Sequence, residues 1–202
     1  MKRTIVPALS SALLWSCLAF LPALARAGSV AEPLTLTATS VQVGIEGQST
    51  LHGWRVSTGA VTVTARVEKS VSGLLQEISG GGLKGLDLVL GVDSLTSTEG
   101  SGMDKNMHKT LESDKFPAIS FSLKSYRLEG LTVTAQGDLG IHGQTKPVTL
   151  TGLLSSEEGG LSLKGSYPLL MSDYGVKPPV MMFGTIHVAD QVKIVYSFKL
   201  SE

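Results

Sequence analysis

Residues 192–200 alternate strictly enough to dictate a wall with two faces. Val192, Ile194, Tyr196, Phe198 and Leu200 fall on one side and Lys193, Ser197 and Lys199 on the other, with Val195 as the exception. Successive side chains of an extended chain project to opposite faces, so this is a strand that is dry on one face and wet on the other. The same period of two recurs at 34–37, 41–45, 61–65, 86–92, 119–123, 131–135 and 161–163. With a pair of segments inside 137–150 these make about eight or nine short strands, separated by Gly- and Ser-rich breaks, the pattern of an antiparallel barrel or sandwich. Strands alternating with long helices are missing, which argues against doubly wound α/β architectures. A closed barrel would bury one face, wet the other and leave no edge for another chain to pair with.

Residues 1–27 read as a secretory signal peptide. Lys2 and Arg3 lead an apolar run over residues 5–24, and the small-x-small site Ala25, Arg26, Ala27 precedes Gly28. Pro7, Ser10, Ser11, Ser16 and Pro22 interrupt the run, which favours a cleaved signal over a membrane anchor and predicts an exported, soluble domain of residues 28–202. Cys17 is the one cysteine and falls inside the leader, so the mature chain is expected to lack disulfides, thiolate nucleophiles and cysteine metal sites. Retention of Cys17 as a lipid attachment point, with Leu14 and Ser16 before it, is the alternative; bulky Trp15 and the continuing apolar run speak against it. Of the 17 basic residues, Lys2, Arg3 and Arg26 leave with the leader, while all 17 acidic ones stay, giving the domain a formal charge of minus three. With no basic stripe either, nucleic acid is not an expected partner. Residues 28–202 supply enough chain for one sizeable core, with no internal linker.

One helix is predicted over residues 102–113. Ser101 and Asp104 make a capping-box-like start, and Met103, Met107 and Leu111 share a face before Phe116 and Pro117 end the element. The methionines either pack over a barrel end or form an adaptable lid. Residues 79–85 read Ser-Gly-Gly-Gly-Leu-Lys-Gly, a turn or bulge without the spacing of a phosphate loop.

Residues 137–150 read Gly-Asp-Leu-Gly-Ile-His-Gly-Gln-Thr-Lys-Pro-Val-Thr-Leu. Leu139 and Ile141 alternate before a polar break and Val148 and Leu150 after it; Gly143 supplies the turn, and Pro147 stands where the second strand is expected to begin. This word resembles the signature hairpin of the YceI-like family of bacterial lipid and polyisoprenoid-binding proteins. Three further segments resemble the family in its own order. Residues 48–54, Gln-Ser-Thr-Leu-His-Gly-Trp, are similar to a Ser-Thr-x-His-Asp-Trp motif with Gly53 in place of the aspartate. Residues 103–121 resemble the helix followed by a Phe-Pro-x-Ile-x-Phe strand, and residues 173–188 the segment leading into the last strand. The resemblance covers most of residues 34–200. It implies an all-β, lipocalin-like antiparallel β-barrel of about eight strands with one short helix covering an end. It also implies a non-catalytic, periplasmic protein that holds a polyisoprenoid or other long-chain lipid for sequestration or transport.

Barrels of this size either fill with side chains or hold one slender ligand. For the lining we expect Phe121, Leu123, Val133, Leu139, Ile141, Ile194, Tyr196 and Phe198, with Met171, Met181, Met182 and Phe183 near the late loop; each is equally well explained as ordinary core. Tyr174, Lys146 and Lys177 are candidates to meet a polar head at a mouth, although surface lysines are more often simply solvated. Transient membrane contact is an expected property of such a carrier. His52, His108, His142 and His187 have no metal-ligand spacing, and no nucleophile elbow is present, so no metal, cofactor or catalytic residue is expected. His52 and His142 are expected to make structural hydrogen bonds or lie at the surface. Two other readings stay open. An enzyme acting on a lipid or quinone precursor would show titratable side chains converging inside the cavity, and a solidly packed structural or partner-binding barrel would show no cavity.

Overall fold

The computed structural model describes residues 34–36, 38–67, 78–157 and 160–200. The expected leader, Cys17 and the first residues of the domain lie outside the described residues. Among those described, strand follows strand: β1 (Leu34–Leu36), β2 (Ala38–Ser49), β3 (Gly53–Thr58), β4 (Val61–Val67), β5 (Leu83–Gly91) and β6 (Thr96–Ser97) precede the helix α1 (Ser101–Thr110). After it come β7 (Ala118–Glu129), β8 (Thr132–Ile141), β9 (Gln144–Glu157), β10 (Gly160–Leu170), β11 (Val180–Met181) and β12 (Ile186–Leu200). The strand count exceeds expectation because three short pieces, β3, β6 and β11, join the predicted set.

All pairings are antiparallel, in the order β1-β4-β5-β7-β8-β9-β10-β12-β2-β3-β6, with β11 added beside β12. The sheet curls around an apolar interior as a half-barrel with α1 over it. Among the described residues its ladder does not close fully. β3 has β2 and β6 on its flanks and β4 has β5 and β1, so the two strands turn a corner at Gly59 and Ala60 instead of pairing. A second opening lies between β9 and β10, which pair from Gly152 to Glu157 and then diverge toward the other end.

The hairpin of β8 and β9 shows how local sequence sets this wall. His142 and Gly143 form its tight turn, both with positive φ (50° and 71°), between paired Ile141 and Gln144. Two left-handed residues match the twist of the flanking strands, as a primed turn requires. The second strand therefore begins at Gln144, ahead of Pro147, which sits inside β9 opposite Asp138. Proline is tolerated there because that part of β9 has no partner on its other flank, where the missing N–H would have bonded.

The helix forms where its apolar spacing predicts, but starts differently. Gly100, with φ 97° and ψ 177°, takes the N-cap position in a conformation open mainly to glycine. Asp104 does not close a capping box: its carboxylate accepts the backbone N–H of Ser97 at 2.7 Å and ties the helix to β6. Buried side chains gather in two groups. The larger lies under α1 and includes Val56, Leu95, Met107, Ile141, Tyr174 and Val176. The smaller, around Ala65, Ile78, Val133, Leu154 and Leu161, packs elsewhere on the wall, where Tyr126 donates its hydroxyl to the Ile78 carbonyl at 2.7 Å.

Candidate functional site

An apolar cavity runs between these two groups and leaves about 190 Å³ open to the centre of a water molecule. One water needs roughly 10–15 Å³ by that measure, so this is far beyond a packing defect. Its wall is built by alternation. On β8, Val133, Ala135, Leu139 and Ile141 face inward; on β12, Val192, Ile194, Tyr196 and Phe198 do. β2 adds Val43 and Ile45, β5 adds Leu86, Leu88 and Leu90, and β10 adds Leu163, Tyr167 and Leu169. From α1, Met103 and Met107 come down onto the cavity, joined by Leu111.

Aromatic rings stay against the wall because glycines on the adjoining strands make room. Gly165 pairs directly with Tyr196 and Gly47 with Trp54, while Gly137 lies diagonal to Phe121. A Cβ at Gly47, Gly137 or Gly165 would come within 2.2, 2.6 and 2.5 Å of these rings respectively. Each ring thus occupies space a side chain would otherwise fill, and its face becomes part of the lining.

Among the expected residues, Phe121, Val133, Leu139, Ile141, Met171, Tyr174, Met181, Ile194, Tyr196 and Phe198 all line the cavity. Leu123 does not; it packs against the core beside the ladder shift between Leu123 and Ser125. Met182 and Phe183 point into solvent. Trp54 and Val56, not among the expected contacts, also line the cavity, from β3. Their signal was two apolar residues alternating with Arg55 and Ser57, too short to stand out.

The titratable side chains of the wall, among the described residues, are Tyr167, Tyr174 and Tyr196. Burial pushes both the Tyr174 and the Tyr196 hydroxyl up to about 12, with the Tyr167 and Asp173 charges adding to the effect at Tyr174. Tyr196 donates to the Thr151 carbonyl at 2.9 Å. Tyr174 and Tyr196 therefore keep their protons at neutral pH and do not form an acid–base pair.

The histidines lie elsewhere. His52 is exposed, with Nδ1 2.8 Å from the Gly53 carbonyl and 3.6 Å from Glu99. His142 packs against Phe116, ring centres 4.4 Å apart; its Nδ1–H reaches the Tyr174 carbonyl at 3.2 Å, and Nε2 faces Glu112 at 3.6 Å. It joins the hairpin turn to the turn Met171–Tyr174. Asp190 holds that turn from β12, accepting both the N–H and the hydroxyl of Ser172, bonds that keep its carboxyl below the usual range.

Lys146 pairs with Asp173 at 3.5 Å and lies 5.6 Å from the centre of the Tyr174 ring, in the outer groove between β9 and β10. Lys177 is exposed. Among the described residues there is no group of three or more metal-ligating side chains, and no helix long and apolar enough to cross a membrane.

A sequence model described as the YceI-like domain matches residues 34–200. A search of curated protein sequences finds no match. Among solved structures, the chain is similar to Burkholderia cenocepacia BcnA at 14% identity and a TM-score of 0.60, covering 78% of this chain and 94% of that one. A polyisoprenoid binding domain from Saccharophagus degradans, implicated in plant cell wall breakdown, is 12% identical with a TM-score of 0.55, over 83% of this chain and 97% of its own. The Campylobacter jejuni YceI protein is 15% identical with a TM-score of 0.51, over 70% and 82%. At these identities the likeness is one of fold.

Proposed function

This chain belongs to the YceI-like domain family, and from that premise we propose that it is a non-catalytic carrier that holds a long apolar chain, a polyisoprenoid or similar lipid, inside its half-barrel. The observation that carries this reading is a cavity walled almost wholly by aliphatic and aromatic side chains from most of the long strands and from α1. The similarity in fold to a polyisoprenoid binding domain points the same way. Such a wall provides no polar anchor for a compact polar substrate, yet suits a ligand whose affinity comes from methylenes. Each buried methylene contributes roughly 0.8 kcal/mol, so a five-carbon isoprene unit gives about 3–4 kcal/mol before ordering costs. A few units suffice. Eight would nominally exceed the practical ceiling of about 18–21 kcal/mol, so preference among chains is set by cavity length and mouth rather than by hydrophobicity.

The ligand contacts we assign are Phe121, Val133, Leu139, Ile141, Met171, Tyr174, Met181, Ile194, Tyr196 and Phe198. Residues 1–27 are read as the export signal, with the periplasm as the place of action and sequestration or transport as the role. His52 and His142 lie apart and outside the cavity wall, which disfavours the enzyme reading. Mass spectrometry of the native purified protein tests the proposal: a retained chain-like lipid is expected. Protein that yields no extractable lipid and gives flat calorimetry with polyprenyl and fatty-acyl chains after delipidation would overturn it.

A further inference from the structure

The hairpin of β11 and β12 carries more apolar surface than the cavity uses. Met181 lies in the wall, but its neighbours Val180, Met182 and Phe183 are 59%, 67% and 110% exposed. They are held outward by fixed backbone. Thr185 donates its N–H and its hydroxyl to the Met182 carbonyl, and Val188 donates to the Pro179 carbonyl. Met182 and Phe183 have φ of 51° and 54°, a region unfavourable for bulky side chains, whereas glycine or asparagine would adopt it readily. A conformation that is costly for these residue types and displays them to water asks for a surface that rewards them.

A second loop brings Leu51, 66% exposed, to the same end. Thr50 donates its N–H to the His187 carbonyl at 3.0 Å and its hydroxyl to the Thr185 carbonyl at 3.3 Å, so the turn between β2 and β3 is fastened to the hairpin. The cavity opens beside this tip. Asn106 of α1 is exposed, lines the cavity and lies 3.8 Å from the Met181 sulfur.

Charge decides what kind of surface fits. Residues 175–189 hold Lys177 and His187 and no Asp or Glu, and residues 50–54 hold His52 and no carboxylate, on a chain whose residues 28–202 are net acidic. Glu99 stands at the edge of this end, 3.6 Å from His52. A few projecting side chains are too small a patch for a stable second copy, which needs about 1,000 Å² or more of matched surface, but they suffice for a bilayer, which needs no matched shape.

We propose that Leu51, Val180, Met182 and Phe183 insert into an anionic phospholipid surface and set the cavity opening against the bilayer. The inference rests on the carrier reading above and names the surface on which loading takes place. The purified protein is sedimented with vesicles of phosphatidylcholine mixed with phosphatidylglycerol, and with phosphatidylcholine alone. Binding to the anionic vesicles, weakened by salt, is expected. The double variant Met182→Asn, Phe183→Gly, which places residues at ease with positive φ, is expected to melt no lower than the parent yet to lose roughly tenfold or more of its vesicle partitioning, and to keep its co-purified lipid. Equal partitioning of variant and parent overturns the proposal. So does a concentration-dependent dimer that the same variant abolishes, which would give the patch to a second copy. Should vesicle binding and its loss stand while no lipid ever co-purifies, the carrier reading fails and the docking surface survives.

Discussion

The ring of Tyr196 packs over Gly165, its direct partner on the neighbouring strand, where a Cβ would stand 2.5 Å from both the ring and the Thr151 carbonyl. Wall and lining are thereby one layer: the ring is both the packing partner of a missing side chain and the surface a ligand meets.

Gly165→Ala is accordingly expected to cost about 1–3 kcal/mol, because the Thr151 backbone cannot withdraw as a side-chain tip can. In a domain of this size that is a fall in melting temperature of roughly 2–4 °C for each kcal/mol. The displaced ring should also narrow the cavity, so mass spectrometry should find a shorter or less abundant bound chain. Unchanged melting and unchanged lipid would show that the strands part without cost.

Alkaline stability should reveal the buried phenols. Tyr174 and Tyr196 rise from 10.0 to about 12 in the folded protein. Above pH 10 the unfolded chain releases these protons while the folded one keeps them, so the stabilisation is fully present below pH 10 and is lost as pH climbs toward 12. Melting temperature followed across that window should fall steeply for the parent and less steeply for Tyr174→Phe or Tyr196→Phe.

Filling the cavity should separate binding from folding. Ala135 borders the open space, whereas Leu153 projects into solvent. Ala135→Phe is expected to abolish or shorten the retained lipid with a stability change within about 1–2 kcal/mol, since the ring enters existing space. Leu153→Phe should leave the lipid unchanged. The pair is read by native mass spectrometry alongside thermal melting.

Detaching the helix should speed exchange of whatever the cavity holds. Asp104→Ala leaves the part-buried Ser97 N–H without its acceptor and frees the start of α1, at a cost of about 1–2 kcal/mol. Release of a fluorescent polyprenyl or fatty-acyl probe to acceptor vesicles is expected to accelerate. An unaltered release rate would mean that the helix does not govern access.

What could be read from the chain tracks how each element is stabilised. β12 was legible because Val192, Ile194, Tyr196 and Phe198 each face the interior, so burial imprints a period of two directly. β3 was missed: it is only Gly53–Thr58, and its place depends on β2 and β6 more than on its own composition. The expected residues that do line the cavity were legible for the same reason as β12, while the lining from β2, β3, β5 and β10 was not among them. Leu123, Met182 and Phe183 were not legible, because a ladder shift or a left-handed backbone redirects a side chain without altering its hydrophobicity. The half-open ladder was equally hidden: it follows from which flanks of β3 and β4 are already occupied, a relation no single segment encodes.

The divergence of β9 from β10 leaves two runs of backbone facing outward, and a proline stands on each, Pro147 and Pro168. Neither can donate an N–H, and their rings obstruct the approach of a third strand. A protein that keeps an opening in its wall thus carries its own safeguard against recruiting neighbouring molecules through it, one that should matter most when the protein is concentrated or freshly made. Replacing both prolines would convert the same opening into a template for aggregation.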